Sequence, residues 1–103
     1  MRALLAAAVV SVAACAGPAD DPLEARGRQV YLSQCVQCHA ADPAQAGAVG
    51  PPVADASRAL LEAKVVRGEY PAGYSPKRPT TVMPPMPQLA PEIDALAAYL
   101  DRR

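Results

Sequence analysis

The chain has 103 residues, and its ten basic and ten acidic side chains give a formal net charge of zero. This balance creates no basic field for nucleic acid, and because no basic run is longer than Lys77-Arg78 or Arg102-Arg103, nucleic-acid binding is disfavoured. The length suits one compact domain, yet Phe and Trp are absent and only four Tyr are present, so the composition permits a bound group in the core.

The N-terminus has the pattern of a secretion signal. Met1 and Arg2 precede a short apolar run, Ala3 to Ala14, which is too short to span a bilayer as a stable helix. We therefore predict a signal peptide at residues 1–14, a tether at 15–21 and the folded domain at 22–103. The exported domain would then work in a compartment where cysteines are readily oxidised.

The third cysteine of the chain, Cys15, lies at the end of this signal. The run Val12-Ala13-Ala14-Cys15 resembles the bacterial lipobox, in which the cysteine is acylated and becomes the first residue of the mature protein. This resemblance implies that Cys15 is a lipid anchor to a membrane surface. The alternative is ordinary cleavage after Ala16, which would remove Cys15. Either interpretation leaves one pair of cysteines in the folded domain.

The first predicted helix runs from about Pro22 to Cys38. Asp21 is a suitable N-cap, and the Pro that follows it is favoured at the first helical position. Gly27 is a poor helix former, so we expect another element to approach the helix closely there. A loop rich in Ala, Gly and Pro follows, from Ala40 to Pro52.

Two further helices are predicted after this loop. One covers Asp55 to Val66, with Ser57 or Asp55 as its cap and Gly68 as its stop. Glu69 to Leu89 is rich in proline and has no helical period. The last helix begins at Pro91, and its predicted buried stripe consists of Ile93, Leu96, Ala97 and Leu100. No segment alternates as a strand would, so the predicted class is all-α.

Cys35-Val36-Gln37-Cys38-His39 has the Cys-x-x-Cys-His spacing of covalent c-type haem attachment. At the end of a helix, positions i, i+3 and i+4 lie on one face, so these two cysteines and His39 can address the same flat ligand. A zinc site would need further Cys or His ligands, but His39 is the only His. A thioredoxin-like dithiol pair would need a βαβ pattern, which the sequence lacks.

A second axial ligand for the iron must come from elsewhere in the chain. With one His, bis-histidine ligation within one molecule is impossible, so methionine is the natural candidate. Met83 and Met86 are both available, and each precedes a proline. In polyproline geometry their side chains would point the same way about 9 Å apart. Spacing therefore does not choose between them.

Several segments together resemble a class I c-type cytochrome. They are the first helix with Gly27 and Tyr31, the Cys35 to His39 run, Gly50-Pro51-Pro52, Met83-Pro84-Pro85 and the helix that contains Leu96 to Leu100. The resemblance covers Leu23 to Arg103 and implies a small cytochrome c fold, with three to four helices wrapped around one covalently bound haem c.

The resemblance also implies roles for particular residues. Met83 is favoured over Met86 as the distal iron ligand, opposite His39. Pro51 would accept a hydrogen bond from His39 through its backbone carbonyl, which orients the imidazole. Gly27, Tyr31 and Tyr99 match positions where the first and last helices cross. Which of Tyr70, Tyr74, Lys77 and Arg78 reach a haem propionate stays open.

The expected function is electron transfer by an electron carrier that is not an enzyme. By family analogy, the donor would be a quinol-oxidising complex or dehydrogenase and the acceptor a terminal oxidase or reductase. The protein would act on the periplasmic side, held by its lipid anchor, as a monomer or a subunit of a larger complex. Two other functions compete: a haem sensor or peroxidase-like protein with an open distal site, and a haem-free dithiol redox protein that uses Cys35 and Cys38.

Overall fold

The computed structural model describes residues 8–10 and 21–101. Within these residues the folded part contains α1 (Pro22–Gln34), α2 (Arg58–Leu61) and α3 (Ile93–Leu100). A π-helical turn, Glu62–Val66, continues α2, and a 3-10 helix, Pro87–Glu92, precedes α3. No strand occurs in the described part of the chain, and the predicted all-α class is confirmed.

Helix α1 begins as predicted but ends earlier. The Asp21 side chain accepts a hydrogen bond from the Leu23 amide at 2.8 Å, with Pro22 at the first helical position. The helix ends at Gln34 rather than at Cys38. The carbonyl of Cys38 instead accepts from the amides of Val49 and Gly50, at 3.1 and 2.8 Å. The loop after the motif therefore satisfies a carbonyl that a helix ending at Cys38 would have left without an intrahelical donor.

Helix α1 crosses α3 at Gly27, which confirms the predicted close approach. A Cβ atom at Gly27 would lie only 1.9 Å from the backbone oxygen of Ala95. One turn further along α1, the rings of Tyr31 and Tyr99 pack with their centroids 5.6 Å apart. The absence of a side chain at Gly27 therefore allows the two helices to approach to backbone contact.

The second predicted helix is shorter and less regular than expected. Asp55 has a φ of 63°, which is incompatible with a right-handed helix, so α2 starts after Ser57. The Ser57 hydroxyl accepts from the Leu60 amide at 3.1 Å. The π-helical turn then leads to Gly68, whose φ of 70° ends the helix as predicted.

The C-terminal helix also starts differently from the prediction. Pro91 lies inside the 3-10 helix, and α3 begins only at Ile93. Neither Met86 nor Glu92 caps its helix with a side chain, so the first turns keep the tighter 3-10 geometry. Of the predicted stripe, Ala97 is only half-buried. The others are fully buried and join a core of Val30, Tyr31, Leu61, Val65, Leu89, Ile93, Leu96, Tyr99 and Leu100.

Candidate functional site

The Cys-x-x-Cys-His motif forms one extra turn beyond the end of α1. The Cys35 carbonyl accepts from the amide of His39 at 2.9 Å and from that of Cys38 at 3.3 Å. This turn keeps the helical offset between the three side chains, and all three line one cavity. The predicted convergence of these side chains on one ligand space is therefore present even though α1 is shorter than expected.

The cavity that these residues line has a volume of about 710 Å³. Such a volume is typical of a site for a large cofactor. Much of its wall is apolar and is shared with the core through Tyr31, Leu61, Val65, Leu96 and Leu100. A flat, largely apolar macrocycle that is bonded at one edge to two cysteines therefore fits both the size and the chemistry of this space.

The imidazole of His39 is oriented by the backbone. Its Nδ1 atom lies 2.9 Å from the carbonyl oxygen of Pro51, the contact that the family resemblance implies. A carbonyl oxygen only accepts, so Nδ1 carries the proton and donates it. Nε2 is then the nitrogen left to bind a metal, and the donated hydrogen bond fixes the orientation of the ring.

Two glycines of the predicted loop from Ala40 to Pro52 lie against His39, a packing that the sequence did not predict. A Cβ atom at Gly50 would lie 2.4 to 2.9 Å from three atoms of the imidazole ring. One at Gly47 would lie 2.2 Å from the Cys38 carbonyl oxygen. Both positions therefore accept only glycine without a shift of the ligand-bearing turn. The pair Gly50-Pro51 in the sequence was the signal that could have indicated this packing.

The two motif cysteines differ in environment. Cys35 is half-buried, and desolvation raises the pKa of its thiol to about 11. Cys38 is exposed at the protein surface. In this environment a free Cys35 thiol is therefore protonated at neutral pH. Covalent attachment would therefore bond the haem to one cysteine on the inner side of the turn and to one cysteine near solvent.

Both candidate methionines reach the same cavity. Met83 and Met86 are each half-buried, pack against the edge of the core and line the space that His39 also lines. The Met86 amide donates to the Val65 carbonyl at 2.6 Å, which fixes the loop to the π-helical turn. Both side chains are therefore available to an iron held by His39.

The residues that line the cavity include several cations. Lys64, Lys77 and Arg78 line it, whereas Asp55 is the one acidic side chain among the lining residues. Tyr70 and Tyr74 stack there with ring centroids 5.5 Å apart, and the Lys64 ammonium lies 4.5 Å from the Tyr70 centroid. Lys64, which the sequence did not single out, lines the cavity from the π-helical turn.

The signal peptide, Cys15 and the tether fall largely outside the described residues, of which only 8–10 and Asp21 belong to those segments. In the described part of the chain, no helix is long and apolar enough to cross a membrane. The same part contains no group of three or more His, Cys, Asp or Glu side chains arranged to hold a metal ion.

Comparison with known proteins gives one result. The family model described as cytochrome c oxidase, cbb3-type, subunit III matches residues 22–100. The matched segment begins with the first residue of α1 and ends with the last residue of α3. No curated protein and no solved structure matches the chain.

Proposed function

The chain belongs to the family of cytochrome c oxidase, cbb3-type, subunit III, and from this premise we propose that it transfers single electrons through a His/Met-ligated haem towards a terminal oxidase or reductase. The family establishes a class I c-type cytochrome domain with covalently bound haem c and a haem-based role in electron transfer. The individual residues that hold the haem, and the redox partners, belong to the proposal.

One observation carries the proposal. Cys35, Cys38 and His39 line the same wall of a large apolar cavity, and His39 already donates its Nδ1 proton to Pro51. We assign the two thioether bonds to the cysteines and the proximal iron bond to His39 Nε2. The Pro51 hydrogen bond holds the imidazole plane in one orientation while it binds.

We assign the distal iron bond to Met83, with Met86 as the alternative. A bound haem supplies reversible one-electron transfer between ferric and ferrous iron. Because a neutral thioether favours the ferrous state, a His/Met pair raises the reduction potential. Retention of both ligands in the two oxidation states also keeps the structural reorganisation small.

The cations of the cavity suit the charged groups of haem. The two propionates are carboxylates on the edge of the macrocycle away from the thioether bonds, and they are stable where positive charge is available. Lys64 and Arg78, with the hydroxyls of Tyr70 and Tyr74, line the cavity and can supply such contacts. Lys64 and Arg78 would then be the residues that hold the propionates of a bound haem.

The proposed location of the protein rests on its family and on the N-terminal segment of the chain. Domains of this family are generally exported to the periplasmic side. We propose cleavage before Cys15 and acylation of that residue, with electrons supplied by a quinol-oxidising complex or dehydrogenase. The protein would act as a carrier or as a bound subunit. Intact mass of the purified protein tests this part, because it reports the cleavage site, the acyl groups and the single haem together.

The distal ligand is tested by absorption spectroscopy of the ferric protein. We expect the weak near-infrared sulfur-to-iron band in the unchanged protein, its loss in Met83→Ala and its retention in Met86→Ala. The reverse pattern would assign Met86. Absence of the band in the unchanged protein, together with carbon monoxide binding to the ferrous form, would favour a sensor or peroxidase-like function. A haem stain on a denaturing gel separates both from a haem-free dithiol protein.

A further inference from the structure

The proline-rich loop, residues 69–86, is tied across the cavity by one side chain. Lys77 Nζ donates to the carbonyl oxygen of Pro52 at 2.8 Å. Among the hydrogen bonds of the described residues, this is the one that connects residues 70–85 to another segment. The loop is otherwise hydrogen-bonded to the fold near its ends, through the amides of Glu69 and Met86.

The acceptor of this hydrogen bond belongs to the segment that orients the proximal ligand. Pro52 directly follows Pro51, whose carbonyl accepts from His39. The amides of Val53 and Ala54 then donate to the Pro43 carbonyl at 2.9 and 3.0 Å. This segment is fixed on both sides of Pro52, so it anchors a loop that has no other hydrogen bond to the fold between residues 70 and 85 among the described residues.

The position of Lys77 in the loop allows it to control Met83. Pro76 precedes Lys77 and Pro79 follows Arg78, and both restrict the backbone around the contact. Met83 lies six residues beyond Lys77 in the same loop and is itself followed by proline. A stiff loop that is held at Lys77 therefore holds Met83 at the cavity as well.

We propose that Lys77 is a positioning residue that keeps the distal methionine on the iron by tying its loop to the segment that orients His39. This inference rests on the proposed His/Met ligation. A charged donor to a backbone carbonyl makes a stronger hydrogen bond than a neutral donor, so the tie slows the loop opening that precedes loss of the methionine. The two axial ligands are thereby connected through the protein as well as through the iron.

Imidazole binding to the ferric holoprotein measures this opening, because imidazole replaces the distal ligand only when the methionine leaves. We expect Lys77→Met to bind imidazole about tenfold faster than the unchanged protein, the effect of one lost charge-assisted hydrogen bond. Lys77→Arg retains a charged donor and should restore a slow rate. The matched control is Arg28→Met, which removes an equal charge from the exposed surface of α1 without removing the tie, and its rate should stay within about twofold.

Hydrogen exchange of the loop amides gives a second measurement that does not depend on which ligand binds the iron. Residues 72–83 should exchange faster in Lys77→Met and not in Arg28→Met. Equal changes in both variants would mean that loss of positive charge, rather than loss of this hydrogen bond, increases exchange. No change in either variant would mean that the hydrogen bond does not restrain the loop. Either outcome would overturn the proposal. If the unchanged protein binds imidazole at once, the His/Met ligation is wrong, and the tie of the loop to Pro52 is decided by hydrogen exchange alone.

Discussion

The immediate surroundings of His39 are built from backbone rather than from side chains. The Pro51 carbonyl accepts from Nδ1, and Gly50 packs flat against the ring. The Cys38 carbonyl accepts from two amides of the same loop. A loop that touches the ligand through its main chain can hold the imidazole closely and still leave Nε2 free to bind iron.

Gly50→Ala is therefore expected to disturb ligation more than its size suggests. The added Cβ would lie 2.4 Å from Cε1 of His39, and a ring displaced to relieve this overlap would disturb the Pro51 contact. We expect a loss of about 1–3 kcal/mol in the free energy of unfolding of the ferric holoprotein. The sulfur-to-iron band should also weaken as the iron shifts with the imidazole.

Denaturant titration and near-infrared absorption of the same samples measure the two effects. Gly73→Ala is a useful comparison, because no atom lies within 4 Å of a Cβ placed there, although its φ of 79° adds backbone strain. That variant should lose stability without a change in the band. An unchanged spectrum and stability in Gly50→Ala would show that the ring has room that the structure does not indicate.

At the scale of the helices, the crossing of α1 and α3 determines where the haem motif starts. Gly27 is in backbone contact with α3, Tyr31 packs on Tyr99, and the motif follows four residues after Tyr31. The Tyr31 hydroxyl also donates to the Ala40 carbonyl, just beyond His39. The helix crossing thus fixes both ends of the motif turn relative to the core.

Gly27→Ala tests this crossing, because the crossing predicts a loss of stability whereas helix propensity alone predicts a gain. In an exposed helix this change stabilises by up to about 1 kcal/mol. Here the new methyl group would lie 1.9 Å from the backbone oxygen of Ala95, which cannot rotate away. We expect a net loss of at least ~2 kcal/mol in denaturant titration. Arg28→Ala, at the next and exposed position, should change little, and stabilisation by Gly27→Ala would contradict the crossing geometry.

An ion pair across the same crossing makes stability depend on pH. Arg26 donates to Glu92 at 2.6 Å, and this hydrogen bond lowers the pKa of the Glu92 carboxyl below its usual value of 4.5. A lowered pKa means that the pair stabilises the fold above the unfolded-state pKa, and that this contribution is lost as pH falls through the lower folded-state pKa.

Arg26→Gln should therefore lower the melting temperature at pH 7 and have a progressively smaller effect below pH 4.5. Thermal melts from pH 7 to pH 3 measure this dependence. Since both side chains are partly exposed, added salt should also reduce the effect. Arg28→Gln removes the same charge from the exposed surface of the same helix, and a matching pH profile in that variant would show that net charge, rather than the pair, is responsible.

Periodicity predicted the helices better than their ends. The N-terminus of α1 and the stop at Gly68 follow from local residue chemistry, and both are confirmed. The π-helical turn and the 3-10 entry to α3 carry no local signature, since each depends on which carbonyls neighbouring segments occupy. The sequence indicated the motif cysteines and His39 because their spacing is a local pattern. It did not indicate the packing of Gly50 or the approach of Lys64 to the cavity, because both depend on contacts between distant segments.

At the scale of the whole molecule, the cavity is an integral part of the core. Tyr31, Leu61, Val65, Leu96 and Leu100 belong to the buried cluster and also line the cavity. A chain without Phe or Trp has few large side chains with which to fill such a space. Without a bound group, the apolar walls of this cavity would face water, and that exposed apolar surface would reduce the stability of the fold.

The bound haem should therefore determine whether the chain has a cooperative fold. We expect the double variant Cys35→Ser with Cys38→Ser, purified without haem, to lose the cooperative thermal transition and part of its far-ultraviolet helical signal, because the apolar walls collapse or become hydrated. Gln37→Ser, a polar exchange at an exposed position between the two cysteines, should keep both haem and transition. Circular dichroism during heating compares the three proteins. A sharp transition at an unchanged temperature in the haem-free variant would show that the polypeptide core alone is sufficient for folding.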